Sequence, residues 1–115
     1  MIAYTELRPG NYVNALHKGK KKKFLKITLE DICQIRDSAL DVFPVPIAGE
    51  WLDKFGFAHN TTFVHFKLSP FYFVQDTEGW FFKKHEIKIN QHPLLYIHQL
   101  QNFFYCFTGE ELDIK

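Results

Sequence analysis

Residues 98–112 read HQLQNFFYCFTGEEL, and this stretch decides the fold of the C-terminal part of the chain. Its apolar residues recur with the three- and four-residue spacing of one helix face, counting from Ile97 through Leu100, Phe104 and Phe107. Gly109 can take the left-handed conformation that ends a helix, and Pro93 fits at or near the first turn. We therefore predict a C-terminal amphipathic helix that packs on a sheet.

Four polar residues are expected on the other side of this helix: His98, Gln99, Gln101 and Asn102. Two interpretations are open for them. Their side chains can hydrogen-bond the adjacent sheet or the tail at residues 109–112, or they can form a ridge that reads a partner such as nucleic-acid bases. We favour the first, with His98 and Gln101 as the bonding residues.

The N-terminal part predicts a β-hairpin. Residues 8–11 have turn chemistry, residues 12–16 alternate as a strand does, and residues 23–29 continue as a second strand. Gly19 lies in the turn between them.

Two predictions remain open for the segment after the second strand: a short helix over residues 29–35, or a third strand. Thr28 and Asp31 have the spacing of a capping box, which is found at the start of helices. Two prolines make residues 42–47 an extended connector or an edge strand. Residues 50–55 predict a short helix that ends at Gly56.

Aromatic runs dominate the following segment. After a polar break at residues 59–61, short β-favouring runs alternate with turn residues, which is typical of an antiparallel meander. The runs are residues 63–68, 71–75, 80–83 and 86–89. Together these elements predict an α+β fold, with residues 1–115 forming a single domain.

The composition constrains the class of protein. Phenylalanine occurs 13 times in 115 residues, and we expect most of these rings in the core, with an exposed patch as the alternative. The two cysteines, Cys33 and Cys106, lie among apolar neighbours and are expected to be buried, reduced thiols of a cytoplasmic protein. No apolar run is long enough to span a membrane, and the start lacks the pattern of a signal peptide.

Charge is distributed unevenly along the chain. In residues 1–29, Arg8 and six lysines against Glu6 give +6, which leaves −5 for the rest because the net charge is +1. The candidate binding residues for a partner or nucleic acid are these lysines: Lys18, Lys20, Lys21, Lys22, Lys23 and Lys26. Such a block attracts phosphates or an acidic protein surface. The alternative is a solvated turn whose lysines protect a strand edge from pairing.

Three segments carry a resemblance to a known group of proteins. The ending HQLQN, an aromatic pair and TGEEL resembles that of small uncharacterised proteins of phages and prophages of the Bacteroidota. Residues 6–13 (ELRPGNYV) are similar to their start, and residues 46–57 to their middle, although Ala48 and Gly49 replace a polar helix-capping residue. The resemblance implies a phage or mobile-element origin in a bacterial host, and it assigns no role to any residue.

The sequence predicts a binding protein and no enzyme. The six histidines lack the close spacing of a zinc site, and no phosphate-binding glycine loop or paired-carboxylate pattern is present, so no cofactor is expected. We expect an inhibitor of a host defence system of the anti-CRISPR type, which binds an effector nuclease or its guide-RNA complex. The alternative is a nucleic-acid-binding accessory protein of phage replication or gene regulation that uses the lysine hairpin.

Overall fold

The computed structural model describes residues 2–55, 58–59, 64–65, 71–75, 77–84 and 87–114. Contacts divide the chain into a first unit, Met1–Pro46 with Tyr96–Asp113, and a second unit, Ile47–Leu95 with Ile114–Lys115. Antiparallel sheets and helices occur together, so the predicted α+β class is confirmed. That residues 1–115 form a single domain stays a prediction.

A three-stranded antiparallel sheet forms the centre of the first unit. Its strands are β1 (Tyr12–His17), β2 (Lys20–Lys26) and β3 (Asp41–Phe43), in the order β2-β1-β3. The predicted hairpin is confirmed, although β2 begins at Lys20 and not at residue 23. The edge strand β3 lies where the two prolines predicted extended backbone, and it ends just before Pro44.

One face of this sheet packs into an aliphatic core. Val13 and Ala15 project from β1 to the same side, as the alternation of a strand requires, and both are buried. The remaining buried members of the cluster are Ile2, Leu7, Ile27, Leu40 and Val42. Tight aliphatic packing of this kind supplies most of the stability of a small unit.

A helix covers the edge of this core. The open choice after β2 is settled as α1 (Leu29–Arg36), whose Ile32 and Ile35 pack against the cluster. The Thr28 hydroxyl accepts from the Asp31 N–H at 3.2 Å, and the Asp31 carboxylate accepts from the Thr28 N–H at 2.9 Å. This capping box satisfies two backbone donors at the start of the helix.

The C-terminal helix α3 (Ile97–Thr108) also belongs to the first unit. It ends at Gly109, whose φ of +77° is left-handed, as predicted. Its start was predicted one turn too early. Pro93 precedes the helix by four residues because Leu94, which follows it, forms a β-bridge with Trp80. At the actual start of the helix, the Gln99 side chain accepts a hydrogen bond from the Tyr96 N–H.

The buried side of α3 is partly polar, which corrects the predicted division into faces. His98 and Gln101 are as buried as Ile97 and Leu100, whereas Phe107 is 42% exposed. The packing of this side of α3 therefore depends on hydrogen bonds of the Gln101 side chain as well as on the burial of apolar side chains.

The second unit joins a short helix to a five-stranded antiparallel sheet. Trp51, Leu52 and Phe55 are buried on one side of α2 (Gly49–Lys54), as predicted, and no side chain caps its start at Ala48. The strands are β4 (Ala58–His59), β5 (Val64–His65), β6 (Phe71–Gln75), β7 (Trp80–Lys84) and β8 (Ile87–Lys88), paired in that order. The predicted meander is confirmed where it is described.

Two residues fix the return of the chain after β8. The Asn90 side chain accepts from the Phe82 N–H at 2.7 Å and donates to the His92 carbonyl at 2.7 Å. Gly79 has a φ of +144°, and a Cβ placed there would lie 2.8 Å from the Cβ of Pro93. Only glycine fits this contact.

Several expectations need correction. Ala58 and His59 form β4, whereas His59 was placed in a polar break. The burial predicted for the cysteines is wrong, since Cys33 is half-buried and Cys106 is exposed, and neither is in a disulfide. The predicted helix stop at Gly56 lies outside the described residues, as do Glu86 and the ends of the run predicted at residues 63–68.

Candidate nucleic-acid interface

The turn of the lysine hairpin contains two residues with positive φ. Lys18 has a φ of +50° and Gly19 of +78°, which is the pattern of a two-residue type I′ turn, and His17 pairs with Lys20 directly after it. Such a turn matches the natural twist of the two strands. It therefore places the lysine run on β2 from its first residue.

A β-bulge interrupts β2 at the end of this run. Val13 pairs with Leu25 and Ala15 with Lys22, so that two residues of β2 face Asn14 alone. One of them, Phe24, has a φ of +58°, and its N–H donates to the Asn14 Oδ1 at 3.2 Å. The bulge allows Leu25 to pack on the core. The side chains of the lysines before it still alternate between the two faces of the sheet.

The lysines project to both sides of the edge strand. Lys22 shares a face with Ala15, whereas Lys21 lies beside Leu16 on the opposite, outer face of the sheet. All four residues from Lys20 to Lys23 are exposed. In the part of the chain that the structure describes, Lys18 and these four form no ion pair.

Lys26 differs from the other candidate residues. It lies at the far end of β2, opposite Tyr12, and its Nζ forms an ion pair with the Asp113 carboxylate. The structure thus groups Lys18 with Lys20, Lys21, Lys22 and Lys23 and separates Lys26 from them. We call these five residues the lysine edge.

The outer face of the sheet contains an open groove beside the lysine edge. Its volume is about 320 Å³. The lining residues come from all three strands: Asn14, Ala15, Leu16, Lys21, Lys22, Lys23 and Phe43. Phe43 is 38% exposed and pairs with Asn14. Asp41 is the one acidic residue within the three strands, and it pairs with Leu16.

Sequence reasoning identified the lysines and missed the rest of the groove. Phe43 was predicted to lie in an extended connector or an edge strand, but its position opposite Asn14 depends on a pairing between residues 29 positions apart. One sequence signal was present: an aromatic residue before Pro44 is a pattern of an edge strand, and an edge strand keeps one side accessible.

The polar residues of α3 are structural, as favoured from the sequence, with one exception. The Gln101 and Asn102 side chains hydrogen-bond backbone and side-chain atoms near the N-terminus, including Gly10 and Glu6. His98 does not bond as expected. It is 2% exposed, and neither ring nitrogen has a hydrogen-bond partner among the described residues.

The surroundings of His98 favour its neutral form. Burial lowers the pKa of His98, and the Glu6 carboxylate opposes this effect from 3.9 Å, too far for a hydrogen bond. Its ring stacks on that of Tyr96 with 6.1 Å between the centroids. An enclosed imidazole whose neutral form is favoured by burial has the features of a core residue.

Comparison with family models, with curated proteins and with solved structures finds no match to this chain. Within the described residues, no group of three or more His, Cys, Asp or Glu side chains could hold a metal ion. No described helix is both long enough and apolar enough to cross a membrane.

Proposed function

We propose that this chain is a small non-enzymatic protein that binds nucleic acid through the lysine edge and the groove beside it. The observation that carries the proposal is the row of exposed lysines along the edge strand and its turn, which form no ion pair with another described residue. Five such ammonium groups attract a polyanion, because each contact with a phosphate releases a condensed counterion.

Protection of the strand edge also explains lysines on β2. It does not explain why the cations border a groove that contains an exposed phenylalanine. Apolar and aromatic side chains beside lysines are typical of surfaces that bind the bases as well as the phosphates of a nucleic acid. The combination favours nucleic acid over simple solubility.

Salt dependence gives a direct test. If all five lysines contact phosphates, a plot of log Kobs against log salt concentration should have a slope of about −3.5 for a single strand or about −4.5 for a duplex. Fluorescence anisotropy with labelled RNA and DNA measures this slope. No binding even at low salt would contradict the proposal.

A pair of matched variants separates the lysine edge from general charge. The double variant Lys21→Ala, Lys23→Ala should bind more weakly, with a slope shallower by about 1.4 to 1.8. The control Lys54→Ala, Lys83→Ala removes the same charge from the second unit and should keep the slope. If the first variant aggregates while its binding is unchanged, the lysines serve only to protect the edge.

A second function is supported by the uneven charge and by the resemblance to phage proteins. We propose, as this second function, that the chain acts in a bacterial cytoplasm as an inhibitor of a host defence nuclease of the CRISPR type. The lysine edge would then contact the guide RNA, and residues 30–115, whose net charge is −5, would contact the basic nucleic-acid channel.

Phage plating on a host with an active CRISPR system distinguishes the two functions. Expression of the chain should restore plating of a targeted phage if it is an inhibitor, and the Lys21→Ala, Lys23→Ala variant should restore it less. Nucleic-acid binding in solution without any effect on plating would leave the first function and exclude the second.

A further inference from the structure

The outer face of the first sheet has cationic side chains at one edge and an aromatic side chain at the other. Lys21 and Lys23 lie on β2, Phe43 lies on β3, and β1 separates them. Neighbouring strands are about 4.8 Å apart, so the cations and the ring are separated by roughly 10 Å. This is comparable to the reach of one nucleotide from its phosphate to the far side of its base.

Phe43 has the features of a stacking surface. It is 38% exposed on an edge strand and contributes to the wall of the groove. Exposure of an aromatic ring carries a hydration cost that a stacked base would remove. Any of the bases can stack on such a ring, because every base has a flat π face.

The floor between the two edges is also suited to a base. Leu16 is half-buried and apolar. Asn14 uses its Oδ1 to accept from Phe24, which leaves the two N–H groups of its Nδ2 without a partner among the described residues. Those donors can bond a carbonyl or ring nitrogen of a base.

The one acidic residue within the three strands, Asp41, favours one orientation of a bound single strand. Asp41 lies on β3, opposite Leu16 on the outer face. Its carboxylate repels phosphates from the β3 side, so the phosphates follow the lysine edge and the bases point across the sheet towards Phe43. A backbone in the reverse orientation would bring phosphates towards Asp41.

We infer that the groove takes single-stranded nucleic acid, with one base against Phe43 and the phosphates along Lys21 and Lys23. This inference rests on the proposed nucleic-acid binding and narrows it. The groove volume of about 320 Å³ is at the lower end for small-molecule sites, roughly 300–1,000 Å³, which gives room for one base. Bases in a duplex are stacked on each other and reach such a surface only if they are flipped out.

Anisotropy titrations with single strands and duplexes of equal length test the inference at low salt. Oligo-dT and oligo-rU serve as single strands. The unaltered chain should bind them at least roughly tenfold more tightly than the duplex. Phe43→Ala should weaken single-strand binding roughly 5- to 150-fold, the value of one base–aromatic stack, and leave duplex binding and the salt slope unchanged.

Three further variants protect the experiment from an effect on folding. Phe43→Trp should keep single-strand binding, whereas Phe43→Leu keeps apolar volume without a ring and should lose it. Phe107→Ala removes another exposed phenylalanine, on α3, and should change nothing.

Equal affinity for single strand and duplex, or an unchanged affinity of Phe43→Ala, overturns the inference while the proposed function stands. Failure to bind either nucleic acid overturns both.

Discussion

The Tyr12 N–H donates to the Gln101 Oε1 at 2.8 Å, although the two residues are 89 positions apart. The Nε2 of the same side chain donates to the Gly10 carbonyl at 2.9 Å and to the Leu112 carbonyl at 3.1 Å. One buried amide therefore joins the first strand, the turn before it and the tail after α3. No apolar side chain of similar size could satisfy these three backbone groups.

Gln101→Leu should destabilise the protein by about 2–5 kcal/mol, because it leaves the Tyr12 N–H and two carbonyls without a partner. Urea unfolding followed by circular dichroism measures the change. Cys106→Ser, at an exposed position of the same helix, is the control and should stay within about 0.5 kcal/mol. A small effect of Gln101→Leu would mean that water replaces the amide.

Acid should destabilise the protein through His98. The pKa of His98 in the folded protein is lowered by burial, so the folded state takes up its proton less readily than the unfolded chain does. This contribution to stability is complete above the ordinary pKa of about 6.5 and is lost as the pH falls towards the folded pKa, at up to about 1.4 kcal/mol per pH unit.

Unfolding of the unaltered chain and of His98→Phe should be compared between pH 8 and pH 5. The variant should lose less stability than the unaltered chain over this range. Glu6→Gln removes the carboxylate that raises the pKa of His98 and should therefore increase the loss. Parallel pH profiles for all three proteins would rule out His98 as the cause.

Gly79→Ala should be more destabilising than alanine at another glycine with positive φ. The new methyl group would contact Pro93 and Leu95 at less than 3 Å, and the backbone would be strained as well, for a total of about 2–4 kcal/mol. Gly19→Ala is the matched control because no atom lies within 4 Å of its Cβ position. Equal effects would show that backbone strain alone acts at Gly79.

Thr28→Ala should cost about 1 kcal/mol, since it removes the hydroxyl that accepts from the Asp31 N–H at the start of α1. Thr28→Ser keeps that oxygen and should restore most of the stability. Thermal unfolding of the two variants measures the difference. A loss of the same size in both would assign the effect to the methyl group of threonine.

Local features of the sequence predicted much of the fold. Gly109 at a helix end, Thr28 with Asp31, and a glycine turn between alternating strands act through neighbours in sequence. They predicted the end of α3, the start of α1 as one of two alternatives, and the hairpin. In each, the decisive contact joins residues only a few positions apart.

Contacts between distant residues could not be predicted in this way. His98 and Gln101 are polar, and their burial depends on which atoms of the N-terminal turn face them. The start of α3 moved because Leu94 pairs with Trp80, and Phe43 joined the lysines because β3 pairs with β1. The sequence therefore indicated the lysines of the candidate site, whereas the position of Phe43 beside them became visible only in the structure.

The division of the first unit between the two ends of the chain has a consequence for synthesis on the ribosome. The hairpin is translated early, but the amide that satisfies the Tyr12 N–H belongs to a helix made 89 residues later. At roughly 5–20 residues per second, this delay is on the order of 5–20 seconds. During that interval the Tyr12 N–H of the growing chain lacks this partner, so the first unit is completed only after the C-terminal helix has been made.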